Sequence, residues 1–161
     1  EMARLAEAIF AAEQAEEIVD LDEIKAQPHS RPERPKGSGP RRYTFEQFSL
    51  LVGRSPRQND ELIRKHSARD DLWFHVKDSP GAHVLLKTAG RSPDEQVVEA
   101  AAMLAARYSS RAKDSRVLVS FTSAQRVKKP AGAAPGFVVY SDELTLWVDP
   151  SRLSKNVLRS D

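Results

Sequence analysis

The chain has 161 residues, 40% hydrophobic and 30% charged, with a net charge of +2 and no cysteine. This length fits one domain with appendages, and it can bury a core that needs neither disulfides nor a structural metal. The composition excludes thiolate nucleophiles and cysteine-ligated metals, and the richest apolar stretch, VVEAAAMLAA, contains Glu99 and is far shorter than the roughly 20 residues of a membrane helix.

The chain opens on Glu1 with a helical pattern already under way. Met2, Leu5, Ile9 and Ala12 recur at helical spacing, with Val19 a heptad further on. Residues 1–27 read as the end of a coiled-coil or middle-domain helix, a candidate coiled-coil contact cut from something longer. PHSRPERPKGSGP follows, and its prolines and glycines make residues 28–40 a linker. YTFEQFSLLVG supplies one or two strands but has no turn glycine before Gly53. A helix is expected from near Asn59, with Ser55 and Asn59 as good caps. LWFHV and HVLLK read as a hairpin turning at Pro80-Gly81, since Pro suits the first central position of a type II turn and Gly the second.

SPDEQVVEAAAMLAARYS is the clearest helix. Ser92 serves as its cap, Pro93 sits where a missing N–H costs nothing, and Glu95 completes a capping box. Val97, Ala101, Leu104 and Tyr108 form its buried stripe. RVLVSFT is a strand, SAQRVKKPAGAAPG a basic loop, and FVVY with TLWV a closing hairpin around Ser141-Asp142. The order predicts an α+β fold, a mostly antiparallel sheet of hairpins with two packed helices, over residues 41–150, with a tail at 151–161.

The hairpin carries the residues of most chemical interest. Leu72, Phe74 and Val76 form one side of its first strand and belong to the core, while Trp73, His75 and Lys77 share the other. A two-residue turn sets His75 opposite Leu86 and His83 opposite Asp78, which puts the histidines on different faces unless a bulge intervenes. Asp70, Asp71, His75 and His83 match no metal-ligand spacing, and the chain has no phosphate loop or nucleophile elbow. Structural histidines are favoured over catalysts, and no metal, cofactor or enzymatic activity is expected.

The Trp73 face has two readings: half-buried packing, or a recognition strand on which a base stacks while lysines meet phosphates. Charge distribution bears on the choice, because residues 1–40 are net −4, residues 41–129 net +7 and residues 130–161 net −1. Arg54, Arg57, Lys65 and the loop cations Arg126, Lys128 and Lys129 all fall in the basic segment. That pattern suits a polyanion partner, against the plainer reading of solvated surface charge.

VGRSPRQNDELIRKHSARDDLWFHVKDSPGAHVLLK, PDEQVVEAAAMLAARYS, VKKPAGAAPGFVVY and TLWVDP, in this order, resemble the NFACT-R domain. This is the C-terminal RNA-binding module of NFACT, or fibronectin-binding protein A-like, ribosome-associated quality-control factors. The residues matching its motifs are Gly53, Arg54, Gln58, Asn59, Asp60, Lys65, Asp71, Trp73, His75, Pro80, Gly81, His83, Lys128, Lys129, Pro130 and Gly136. Gly81 and Gly136 are expected at turns with a positive backbone angle, and Asn59 and Asp60 at a helix cap.

The resemblance implies a cytoplasmic parent that binds obstructed large ribosomal subunits and tRNA, alanyl-tRNA above all, and supports template-free C-terminal alanine tailing of stalled nascent chains. The candidate RNA contacts are the motif-matching Arg54, Lys65, Asp71, Trp73, His75, His83, Lys128 and Lys129, together with Arg57, Lys77 and Arg126 from the strand face and the basic clusters. The family's N-terminal and helix-hairpin-helix domains have no counterpart here, so no tailing activity is expected of this chain alone. The alternative is a protein-interaction domain, as a fibronectin-binding adhesin or a dock for ribosomal proteins.

Overall fold

The computed structural model describes residues 39–160. The helix expected at 1–27 and nearly all of the linker at 28–40 lie outside the described residues. From Arg41 the chain forms β1 (Arg41–Phe45), β2 (Phe48–Val52), a short helix α1 (Pro56–Glu61) that continues as one π-helical turn (Leu62–His66), then β3 (Leu72–Val76) and β4 (Val84–Lys87). Helix α2 (Glu95–Arg107) precedes β5 (Val117–Ser123), β6 (Val127–Lys128), β7 (Val139–Tyr140), β8 (Leu144–Val148) and β9 (Leu158–Arg159).

Seven strands form an antiparallel sheet in the order β8-β5-β3-β4-β2-β1-β9, and β6-β7 is a separate ribbon. The fold is α+β, as the order of elements predicts. Period-two alternation sends Leu50, Val52, Phe74, Val76, Val84, Leu86, Val117 and Val119 to one face, where α2 packs Val97, Ala101, Leu104 and Ala105 against them. The other face is covered too: Leu62 of the π-helical turn sits on Leu51 and Leu85, and the ribbon lays Val127 and Val138 on Trp73. The central strands are therefore buried on both sides.

Several local expectations are corrected. The first hairpin closes without glycine because Glu46 adopts the left-handed backbone, φ 55°. Helix α1 begins after Ser55, whose hydroxyl accepts the Gln58 N–H at 3.2 Å, and Asn59 lies inside it. Helix α2 is capped by Asp94, which accepts the Val97 N–H at 3.1 Å, so Ser92 and Pro93 stay outside. FVVY does not pair with TLWV: β7 joins β6 over Trp73, whereas β8 joins the edge of β5. The tail also contributes, since β9 pairs with β1.

The most consequential correction concerns the β3–β4 hairpin, whose register pairs Leu72 with Leu86 and Phe74 with Val84. Pro80-Gly81 is not its turn. Residues 80–82 are instead drawn to the end of α2, where Ala82 N–H bonds Tyr108 O and Ser110 N–H bonds Pro80 O, both at 2.9 Å. Gly81 bridges Ser109, and a Cβ there would lie 2.9 Å from the Ser109 Cβ. Close approach, not a positive φ, calls for glycine. Gly136 does carry the expected positive φ, 84°.

Asn59 is buried and its Oδ1 accepts the His83 N–H at 3.1 Å, in space where a Gly53 Cβ would come within 2.0 Å of it. Gly53→Ala must therefore displace Asn59. A loss of about 1–3 kcal/mol is expected from this overpacking, read as a lower urea midpoint at unchanged slope.

Candidate nucleic-acid interface

Strand ends and turns converge at one end of the sheet. Arg41 starts β1, Gly53–Ser55 turns β2 into α1, Pro80–Ala82 leads into β4, and Arg107–Ser110 finishes α2. Between them lies an open groove of about 460 Å³ that Arg41, Arg54 and Arg107 line and that no acidic residue among those described lines. The fold has a reason for one of these charges, since a cation in the last turn of α2 complements its dipole.

Local packing positions the groove walls. The Arg41 guanidinium lies 4.5 Å from the centroid of the Tyr108 ring, and the Tyr108 hydroxyl is hydrogen-bonded to that of Tyr43. Burial, reinforced by that hydroxyl, pushes the Tyr43 pKa up to about 12, so Tyr43 keeps its proton above the pH at which a free tyrosine loses it. Arg54 is half-buried, with its backbone N–H on Gln58 Oε1 at 2.8 Å. Guanidinium forks in a groove lined by no carboxylate of the described residues suit phosphate oxygens, which they bind through paired charge-assisted hydrogen bonds.

The residues expected at an RNA surface divide sharply. Trp73 is wholly buried, and His75 and His83 are 2% exposed. The hairpin register brings the two histidines together, not apart, with ring centroids 5.1 Å apart, and both pack on Trp73 at 6.0 and 5.2 Å. That strand face is an interior aromatic cluster, so the expected exposed recognition strand is absent from this fold. Asp71 is also interior: its carboxylate accepts Ala68 N–H at 2.8 Å and Thr88 N–H at 3.0 Å and pairs with Lys87 Nζ at 2.5 Å.

The cations outside the groove are dispersed. Arg57 and Lys65 are exposed on α1 and its π-helical turn, Lys65 lying 3.9 Å from Glu61. Arg126 pairs with Asp142 at 2.5 Å, and Lys129 pairs with Asp60 at 3.2 Å while donating to Phe137 O at 3.0 Å. Asp60, which also accepts Gly136 N–H at 3.0 Å, is thus the tie between α1 and the 129–137 loop rather than a cap. Lys128 is exposed on the ribbon, Pro130 closes a turn with Ala133, and Lys77 is half-buried at the end of β3.

Sequence reasoning missed Arg41 and Arg107, because only the fold brings them beside Arg54. Among the described residues no cluster of His, Asp and Glu is arranged to hold a metal, and no helix is long and apolar enough to cross a membrane.

Residues 41–142 match the family described as NFACT protein RNA binding domain. The Rqc2 homolog RqcH of Bacillus subtilis is 42% identical over 139 residues, 84% of this chain and 24% of that protein. Its Streptococcus suis counterpart is 38% identical over 138 residues, again 84% of this chain and 24% of that protein. The chain thus spans about a quarter of the length of these curated relatives. The solved structure of the C-terminal part of the fibronectin/fibrinogen-binding protein from Streptococcus suis superposes with a TM-score of 0.71 at 34% identity, covering 93% of this chain and 64% of that one. The described fold and the match across residues 41–142 agree: this chain belongs to the NFACT RNA-binding domain family.

Proposed function

We propose that the chain is the RNA-contacting module of a cytoplasmic ribosome-associated quality-control factor, and that it grips the sugar–phosphate backbone of tRNA or ribosomal RNA at the basic end of its sheet. The observation that carries this reading is the groove walled by Arg41, Arg54 and Arg107, which no acidic residue among those described lines. In the full-length parent the module helps hold tRNA on an obstructed large subunit while alanines are added to the nascent chain, and it performs no chemistry itself. Alanyl-tRNA is the ligand of first choice.

Backbone binding makes a salt prediction. If each of the three groove arginines meets one phosphate, they contribute together a slope of about 2–3 in log affinity against log salt. Fluorescence anisotropy with labelled tRNA across a salt series measures it. A salt-insensitive affinity, or none at low salt, would count against the reading. Saturable fibronectin binding without RNA binding would favour the protein-interaction alternative that the name of the Streptococcus suis relative suggests.

A further inference from the structure

The chain has two tryptophans, and the fold treats them oppositely: Trp73 is fully buried and Trp147 is 54% exposed. Trp147 lies on β8, one of the two outer strands of the sheet among the described residues, opposite Leu118. The Arg116 guanidinium sits over its ring, 4.5 Å from the centroid. Lys77 N–H bonds Leu118 O at 2.9 Å, so Lys77, Leu118 and Trp147 form one row across three strands and share the face opposite α2. The β6–β7 ribbon protects that face over Trp73, whose neighbour Thr122 stands about 13 Å further along β5 than Leu118. The ribbon's cover is spent on Trp73, and Trp147 remains open.

We propose that Trp147 and Arg116 form a stacking platform for one unpaired RNA base, with Lys77 meeting an adjoining phosphate. The inference rests on the RNA-binding reading and deepens it. An indole and a guanidinium plane stack any base, because every base has a π face. Charge complementarity selects the occupant: the platform carries Arg116 and Lys77, and at the same end of the sheet Arg111, whose Nη1 pairs with Asp114 at 3.2 Å, donates its Nε to Ser79 Oγ at 2.9 Å beside the groove wall at Pro80. A strand leaving the groove would pass Arg111 and Lys77 and reach Trp147.

Tryptophan emission tests this directly, since buried Trp73 serves as an internal reference. Titration of the wild-type chain with a single-stranded oligouridylate is expected to quench emission, and in W147F the quenching disappears. W147A weakens the single strand by roughly 5- to 100-fold, and R116A weakens it less, while a duplex held by its backbone binds W147A as it binds wild type. Both substituted side chains are exposed, and circular dichroism confirms that the variants fold. Wild-type binding to the single strand with no quenching and no loss in W147A overturns the platform and leaves the RNA reading intact. Failure of the wild type to bind any RNA overturns both. Quenching by an extended peptide pairing along β8, with none by RNA, overturns the platform and assigns the edge to a protein strand.

Discussion

Reversing charge in the groove, with Arg54→Glu and Arg107→Glu combined, is expected to cost about 2–4 kcal/mol of RNA affinity, roughly 30- to 1,000-fold, because two charge-assisted contacts are lost and repulsion replaces them. The corresponding double lysine variant keeps the charge but loses the planar fork, so it falls between the two. Reversal at Arg126 and Lys128 should cost less, since Arg126 already has Asp142 at 2.5 Å. Anisotropy with tRNA at low salt ranks the variants, and a thermal melt checks that half-buried Arg54 tolerates the change. Equal losses at the groove and on the ribbon would mean that the ribbon is an equal partner in binding.

Asp71→Ala is expected to produce the largest loss of stability. Its carboxylate, 1% exposed, neutralises Lys87 and satisfies two backbone N–H groups, of Ala68 and Thr88, that tie the segment before β3 to the end of β4. Removing one member of a buried pair typically costs about 3–5 kcal/mol. Lys87 is 30% exposed and recovers some hydration, which brings the expectation to about 2–4 kcal/mol. A fall in melting temperature on the order of 10 °C would report it. Asp71→Asn keeps the shape and should lose less. At temperatures where both variants are folded their RNA affinity should match wild type, because the carboxylate is interior and meets no ligand. A stable Asp71→Ala with weakened RNA binding would restore Asp71 to the surface role its motif suggested.

Patterns confined to one element were legible in the sequence. The stripe of Val97, Ala101 and Leu104 needs only helical spacing, and the class of fold follows from the order of elements. What failed to show depends on partners distant in the chain. Trp73 alternates with Phe74 in a way that suggests one solvent-facing side, yet the ribbon that buries it is formed by residues more than fifty positions later. The hairpin register moved because Gly81 answers to Ser109, and that three-residue change reversed the relation between His75 and His83.

The candidate site divides in the same way. Arg54 was visible as one cation among many, but its importance comes from Arg41 and Arg107, which only the folded sheet brings near. Local charge made the 126–129 loop conspicuous instead, although Asp142 and Asp60 engage two of its cations. Exposed Trp147 could not be told from buried Trp73, since each sits in a short β-forming run and differs only in what is laid over it.

The central claim, that RNA is gripped at the sheet end bearing Arg41, Arg54 and Arg107, is tested most directly by ultraviolet crosslinking of the chain to tRNA, with adducts mapped to residues by mass spectrometry. The structure predicts adducts on the groove walls around Tyr108 and Ser109 and along the path through Lys77 to Trp147. Adducts confined to the ribbon cations Arg126, Lys128 and Lys129, with the sheet end unlabelled, would contradict it.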